Sequence, residues 1–151
     1  SAFQSHFRFT IKATCPLRDD QFTGTYLVTY EVEPTGAFGP AFGEEPGTVE
    51  VTTVSGSSTK RAFELVYLKD LGIGNGPSTI TVDFVCDFVV LAEDVDGQLS
   101  CGGDAITLGP GDPSPVDLND DSSFVVHMVE FKNDGGCGVP TAPLALRLTK
   151  Q

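Results

Sequence analysis

Carboxylates in two acidic loops are the residues whose types and spacing best suit chemistry. The first loop spans residues 93–97 and ends on Gly97, and the second spans residues 112–121. Hard carboxylate oxygens grouped in this way bind a hard cation such as calcium. The EF-hand spacing is not met, because position 105 is Ala where that loop needs Glu. The alternative is a pair of solvated turns that use Asp and Gly for their geometry. The calcium prediction rests on Asp94, Asp96, Asp117, Asp120 and Asp121.

Catalytic arrangements find little support. His6 lies on the polar face of its segment and His127 lies in an apolar run, and the sequence has no Gly-x-Ser-x-Gly elbow. Asp83 and Asp87 share a strand face but are about 13 Å apart along it, further than the ~5–9.5 Å of glycosidase carboxylates. The sequence therefore predicts a protein that is not an enzyme and needs no cofactor, calcium excepted.

Four cysteines, Cys15, Cys86, Cys101 and Cys137, are widely spaced, and none forms a Cys-x-x-Cys pair. An even number at such spacing indicates two disulfides and an oxidising compartment, and four buried thiols in a cytosolic protein are the alternative. We predict a Cys101–Cys137 bond, because neighbouring glycines let both loops adapt. Cys15 and Cys86, on inward faces, form the second predicted pair.

Composition limits the domain count and the partners. A chain of 151 residues that is 40% hydrophobic suits one domain covering residues 1–151. The net charge of −12 repels phosphate backbones, so nucleic acid is not expected as a partner. No apolar run approaches the ~18 residues of a membrane span.

Apolar residues recur with a period of two, which is typical of half-buried strands. The run 59–71 also fits a helix, but Phe63, Leu65 and Tyr67 alternate and favour a strand. A two-sheet antiparallel β-sandwich, jelly-roll or immunoglobulin-like and disulfide-stabilised, with about eight strands, accounts for this pattern. The predicted runs are His6–Thr14, Phe22–Val32, Thr48–Val54, Arg61–Val66, Ile80–Val90, Ala105–Leu108, Phe124–Phe131 and 144–148. The predicted core contains Phe7, Phe9, Ile11, Tyr26, Val28, Tyr30, Phe84, Phe88, Val126 and Leu146.

The first run has the pattern of a strand that one subunit donates to another. Phe7, Phe9 and Ile11 share an apolar face at a chain end, as strand addition requires. Pairing of this run within its own subunit is the alternative.

These features together predict a non-enzymatic structural or adhesive domain that is extracellular or at the cell surface. Its partner is a protein, and a copy of itself joined by strand addition would extend it into an assembly or fibre. The alternative function is a calcium-assisted carbohydrate-binding module, to which Phe38 and Phe42 would offer an aromatic contact.

Overall fold

The computed structural model describes residues 14–151, which form an all-β structure. The ten strands of this range are β1 (Gly24–Tyr30), β2 (Gly47–Thr53), β3 (Lys60–Leu65), β4 (Ser78–Val85), β5 (Phe88–Leu91), β6 (Val95–Asp96), β7 (Thr107–Pro110), β8 (Ser114–Pro115), β9 (Ser123–Asn133) and β10 (Ala142–Lys150). All their pairings are antiparallel, and they join the strands in the order β6-β7-β9-β10-β1-β2-β3-β4-β5-β8.

The sheet curls into a half-barrel. Strands β5 and β8 contact β9, and β4 contacts β6, although these strands are far apart in the order of the sheet. The hydrophobic core lies on the concave side. Pairing runs without a break through the described strands, so the expected division into two separate sheets is not confirmed.

Most predicted runs correspond to strands. The run 59–71 forms β3 and then a single 3₁₀ turn, Lys69–Leu71, and residues 14–151 contain no α-helix. Strands β6 and β8 were not predicted, because two residues are too few to show a period. The run His6–Thr14 lies outside the described residues except for Thr14.

The prediction of one continuous strand from Ile80 to Val90 is wrong. The chain turns at Cys86 and Asp87, and Val85 pairs with Phe88 across a tight hairpin. Cys86 has a φ of 51°, a left-handed conformation that ends an extended strand. The turn changes which residues face inward, so Val89 is buried and Phe88 is 47% exposed, contrary to its predicted place in the core.

Aromatic rings fill the part of the core near this hairpin. The centroid of the Phe22 ring lies 4.4 Å from that of Phe84, and the Phe84 and Phe124 centroids are 5.3 Å apart. The hydroxyl of Tyr26 donates a 2.6 Å hydrogen bond to the carbonyl of Asp121, which satisfies the polar end of a buried ring. Of the other predicted core residues, Tyr30 is partly buried, Phe7, Phe9 and Ile11 are outside the described range, and Tyr26, Val28, Phe84, Val126 and Leu146 are buried.

Two disulfides fix opposite ends of the strands. Cys15 is bonded to Cys86 at the β4–β5 turn, and Cys101 is bonded to Cys137 beyond the end of β9. Both pairs are those predicted, and no cysteine is free.

Arg61 is a buried charge at the point where β2 meets β3. Its side chain donates hydrogen bonds of 3.0, 2.9 and 2.9 Å to the carbonyls of Gln21, Lys60 and Arg18. Burial lowers the pKa of this guanidinium, although arginine stays charged in proteins. The interaction attaches the segment that precedes β1 to the middle of the sheet.

We predict that Phe84→Ala lowers the free energy of unfolding by about 3–5 kcal/mol, the usual loss for a buried aromatic ring. Phe88→Ala is the matched control. Phe88 follows the turn at Cys86 and Asp87, and its ring is about half exposed. Denaturant unfolding of both variants measures the difference. Equal losses would contradict the placement of the turn.

Candidate assembly site

The outermost strands of the sheet offer little edge for pairing. Strands β6 and β8 contain two residues each, and Pro115 in β8 has no backbone N–H to donate. Short edges and proline are common protection against edge-to-edge association.

A longer open edge lies inside the sheet, between β2 and β3. These strands pair only at Thr52↔Ala62 and Thr53↔Arg61. From there β2 continues paired to β1 alone, and β3 continues paired to β4 alone. Within the described range, two strand edges therefore face each other without a ladder between them.

The opening forms a groove of about 460 Å³, here called the β2–β3 groove. Val49 and Phe63 point inward and form its floor, and both are buried. Thr48 and Glu50 on β2 and Glu64 on β3 are exposed and form its polar rim. An apolar floor between polar rims suits an extended segment with one apolar and one polar face.

Contacts between two loops bound the groove at the end away from Thr52. Leu68 donates a 2.7 Å backbone hydrogen bond to Ala41, and Lys69 Nζ donates a 2.6 Å bond to the carbonyl of Glu45. The stretch from Thr48 to Thr52 is about 13 Å long, so the groove matches a strand of four or five residues.

The rim of the groove is acidic. Glu64 and Glu50 make no ion pair with any residue of the described range. Glu50 accepts a hydrogen bond from the Thr25 hydroxyl, which is neutral. Two carboxylates on facing strands are thus left available to a basic partner.

The predicted assembly strand, with Phe7, Phe9 and Ile11, lies outside the described residues. Thr14 and Cys15, the first described residues after it, lie beside Thr59, Asp83 and Cys86. This position is at the Cys86 end of β4, where β3 begins.

The five residues of the calcium prediction lie in two separate places. Asp94 forms an ion pair with Lys132, and Asp121 forms one with Lys150. These contacts lie near opposite ends of β9, whose Ser123 and Lys132 are about 30 Å apart at the rise of a strand.

Local hydrogen bonds already occupy the remaining acids of that prediction. Asp96, Asp117 and Asp120 each accept a bond from a backbone N–H two residues ahead, as in Asx turns. The described part of the chain contains no group of three side chains placed to hold a metal ion. The calcium hypothesis stays a prediction.

Sequence reasoning missed a buried carboxyl, Glu130, on β9. The Tyr67 hydroxyl donates a 2.5 Å hydrogen bond to Glu130 Oε2, and Glu130 is 2% exposed. A Cβ at Gly36 would lie 2.2 Å from Glu130 Oε1, so a larger residue there would force the Glu130 carboxyl to move. The available signal was an acid within the run 124–131, where His127 is the other polar residue.

Glu130 and its neighbours attach the long β1–β2 loop to the sheet. Phe42 of that loop is buried against Tyr67, whereas Phe38 is 37% exposed beside Phe131. The Tyr30 hydroxyl donates to the carbonyl of Gly43 at 2.7 Å, and burial raises its pKa to about 12. The loop that bounds the groove is therefore held from two sides.

Comparison of the chain with protein-family models, with curated proteins and with solved structures finds no match. No helix within residues 14–151 has the length and apolarity to cross a membrane.

The calcium prediction is tested by thermal unfolding. A cation that binds only the folded state raises the melting temperature, so millimolar calcium should raise it and Asp96→Asn should remove most of the rise. Identical melting curves in calcium and in EDTA would contradict the prediction.

We predict that Glu130→Gln stabilises the protein at neutral pH. Burial raises the pKa of this carboxyl, although the Tyr67 hydrogen bond acts in the opposite direction. The folded state therefore binds the proton more tightly than the unfolded state, and stability falls as pH rises from about 4.5 through the raised pKa. Glutamine keeps an oxygen that accepts the Tyr67 hydrogen bond, but it has no carboxyl to ionise, so this fall in stability with pH disappears. Unfolding at pH 4 and pH 7 should show its advantage only at pH 7.

Glu31→Gln is the control with the opposite sign. The hydrogen bond from Arg147 lowers the pKa of Glu31. Its contribution is present above the ordinary carboxyl pKa and is lost as pH falls through the lowered value. This variant should therefore be the less stable one at pH 7 and should match the wild type in acid. A Glu130→Gln variant that is also less stable than the wild type at pH 7 would contradict the raised pKa of Glu130.

Proposed function

We propose that this protein is a non-enzymatic structural subunit of an extracellular or cell-surface assembly, joined to its neighbours by strand addition. The β2–β3 groove carries the proposal, because two open strand edges are what an added strand pairs with. The donor is the segment that contains Phe7, Phe9 and Ile11, whose alternation suits a strand with one buried face.

The covalent structure supports a location outside the reducing cytosol. Two disulfides join residues 71 and 36 positions apart in sequence, and such bonds persist in oxidising environments. A subunit exposed outside the cell benefits from cross-links that limit the unfolded chain. The acidic surface, with a net charge of −12, keeps unassembled copies soluble.

The fold and its buried acid support a structural role. Curling of the single sheet brings β5 and β8 against β9, and the jelly-roll or immunoglobulin-like sandwich stays part of this proposal. Glu130 has a structural use, because its hydrogen bond with Tyr67 ties the connection after β3 to β9.

Deletion of residues 1–13 tests the function. If these residues are donated to a neighbour, the truncated chain should keep its melting temperature and become monomeric by light scattering, while the full chain forms larger species. A sharp loss of stability instead would mean that the segment completes its own subunit. A full chain that is monomeric at every concentration would end the proposal.

Two single substitutions provide a matched comparison in the full chain. Phe9→Ser places a polar side chain on the apolar face of the segment and should weaken assembly, whereas Thr10→Ser changes the polar face and should leave assembly unchanged. Light scattering over a dilution series measures both.

A further inference from the structure

The geometry points to a specific acceptor and occupant. We propose that the β2–β3 groove takes four or five consecutive residues of the segment 6–13 of a second copy of this chain, with Arg8 and Lys12 beside Glu50 and Glu64. This inference rests on the proposed function and adds the charge pairs that select the segment and the reason why the segment comes from a second copy.

The two faces of the segment match the two parts of the groove. Phe7, Phe9 and Ile11 alternate with Arg8, Thr10 and Lys12. In the groove, buried Val49 and Phe63 lie between exposed polar residues on both sides. A strand laid between β2 and β3 turns alternate side chains to the core and to solvent, so one register satisfies both faces.

Main-chain pairing gives the groove an affinity that a flat surface lacks. Neither Thr48–Glu50 nor Phe63–Leu65 has a strand partner on the groove side within residues 14–151. An added strand of four or five residues bonds to both edges, whereas addition at β6 or β8 pairs with only two residues.

Charge selects the N-terminal segment over the rest of the chain. Residues 1–14 hold two of the 9 Lys and Arg residues and none of the 21 Asp and Glu residues. The body of the subunit is therefore strongly acidic, and the segment is basic. Glu50 and Glu64 have no ionic partner in the described range, so they complement Arg8 and Lys12.

The direction of the chain favours a second copy over the subunit's own groove. Leu17 donates a 2.8 Å hydrogen bond to Ser58, and Cys15 is bonded to Cys86, so the segment begins at the end where β3 starts. The pairs Thr52↔Ala62 and Thr53↔Arg61 close the groove on that side. The subunit's own segment would have to cross over these pairs to enter, whereas a neighbour's segment approaches from outside.

Charge reversal in the full-length chain tests the inference. The donor variant is R8E/K12E and the acceptor variant is E50K/E64K, and light scattering compares each alone with an equimolar mixture. The control E33K/E93K reverses two exposed acids outside the groove and changes the net charge by the same amount as the acceptor variant.

We expect each charge-reversed variant alone to lose the larger species, with assembly retained in the control. The equimolar mixture should form the larger species again, because the segment of each variant then meets a groove of opposite charge on the other variant. The quadruple variant R8E/K12E/E50K/E64K should assemble alone, which shows that the substitutions leave the fold intact.

Two results overturn the inference, and they differ from failure of the proposed function. An acceptor variant that assembles like the wild type would show that the groove is not the acceptor, while assembly itself stands. A mixture that stays monomeric while the quadruple variant is also monomeric would exclude this charge pairing. A wild-type chain that never assembles would end the proposed function and this inference together.

Discussion

The structure depends on a corner in which only two residue pairs connect the halves of a ten-stranded sheet. Thr52↔Ala62 and Thr53↔Arg61 carry the whole ladder between β2 and β3. Arg61 reinforces this point with three hydrogen bonds to backbone carbonyls on the core side. Burying a charge is costly unless its donors are satisfied. The corner is therefore tolerated because the turn around Arg18 and Gln21 supplies those acceptors.

The curl and the groove are two consequences of this corner. Because the halves diverge beyond Thr52, β4 and β5 can fold over towards β6 and β9 and enclose the aromatic core. The same divergence prevents β2 and β3 from pairing along the rest of their length. Their open edges must then bond to water or to another strand. A flat sheet would enclose no core. If β2 and β3 paired along their full length, no groove would remain for an added strand.

Local regularity could be predicted from the sequence, and the long-range geometry could not. Alternation located β1–β4, β9 and β10, and the faces and glycines around the cysteines predicted both disulfide pairs. The same alternation failed at Phe88, because a two-residue turn at Cys86 interrupts it without an apolar gap. Whether two halves form one sheet or two depends on pairs such as Thr52↔Ala62, which leave no periodic signal. The groove results from strand pairs that are missing, which no sequence pattern predicts. The buried roles of Glu130 and Arg61 were not recognised, because their hydrogen-bond partners are about 40–60 residues away in sequence.

Edges and charge together determine which contacts between copies are favourable. The outer strands β6 and β8 are too short to recruit a neighbour, and the acidic bodies repel each other, so random edge-to-edge association is suppressed. In the proposed assembly, a basic segment of a neighbour would be attracted to this acidic surface, and within residues 14–151 the β2–β3 groove adds open backbone groups and an apolar floor. The proposed contact joins two different parts of the chain, the segment before Thr14 of one copy and the β2–β3 groove of another. Contacts of this kind are head-to-tail, and they build rings or open chains instead of closed two-fold pairs.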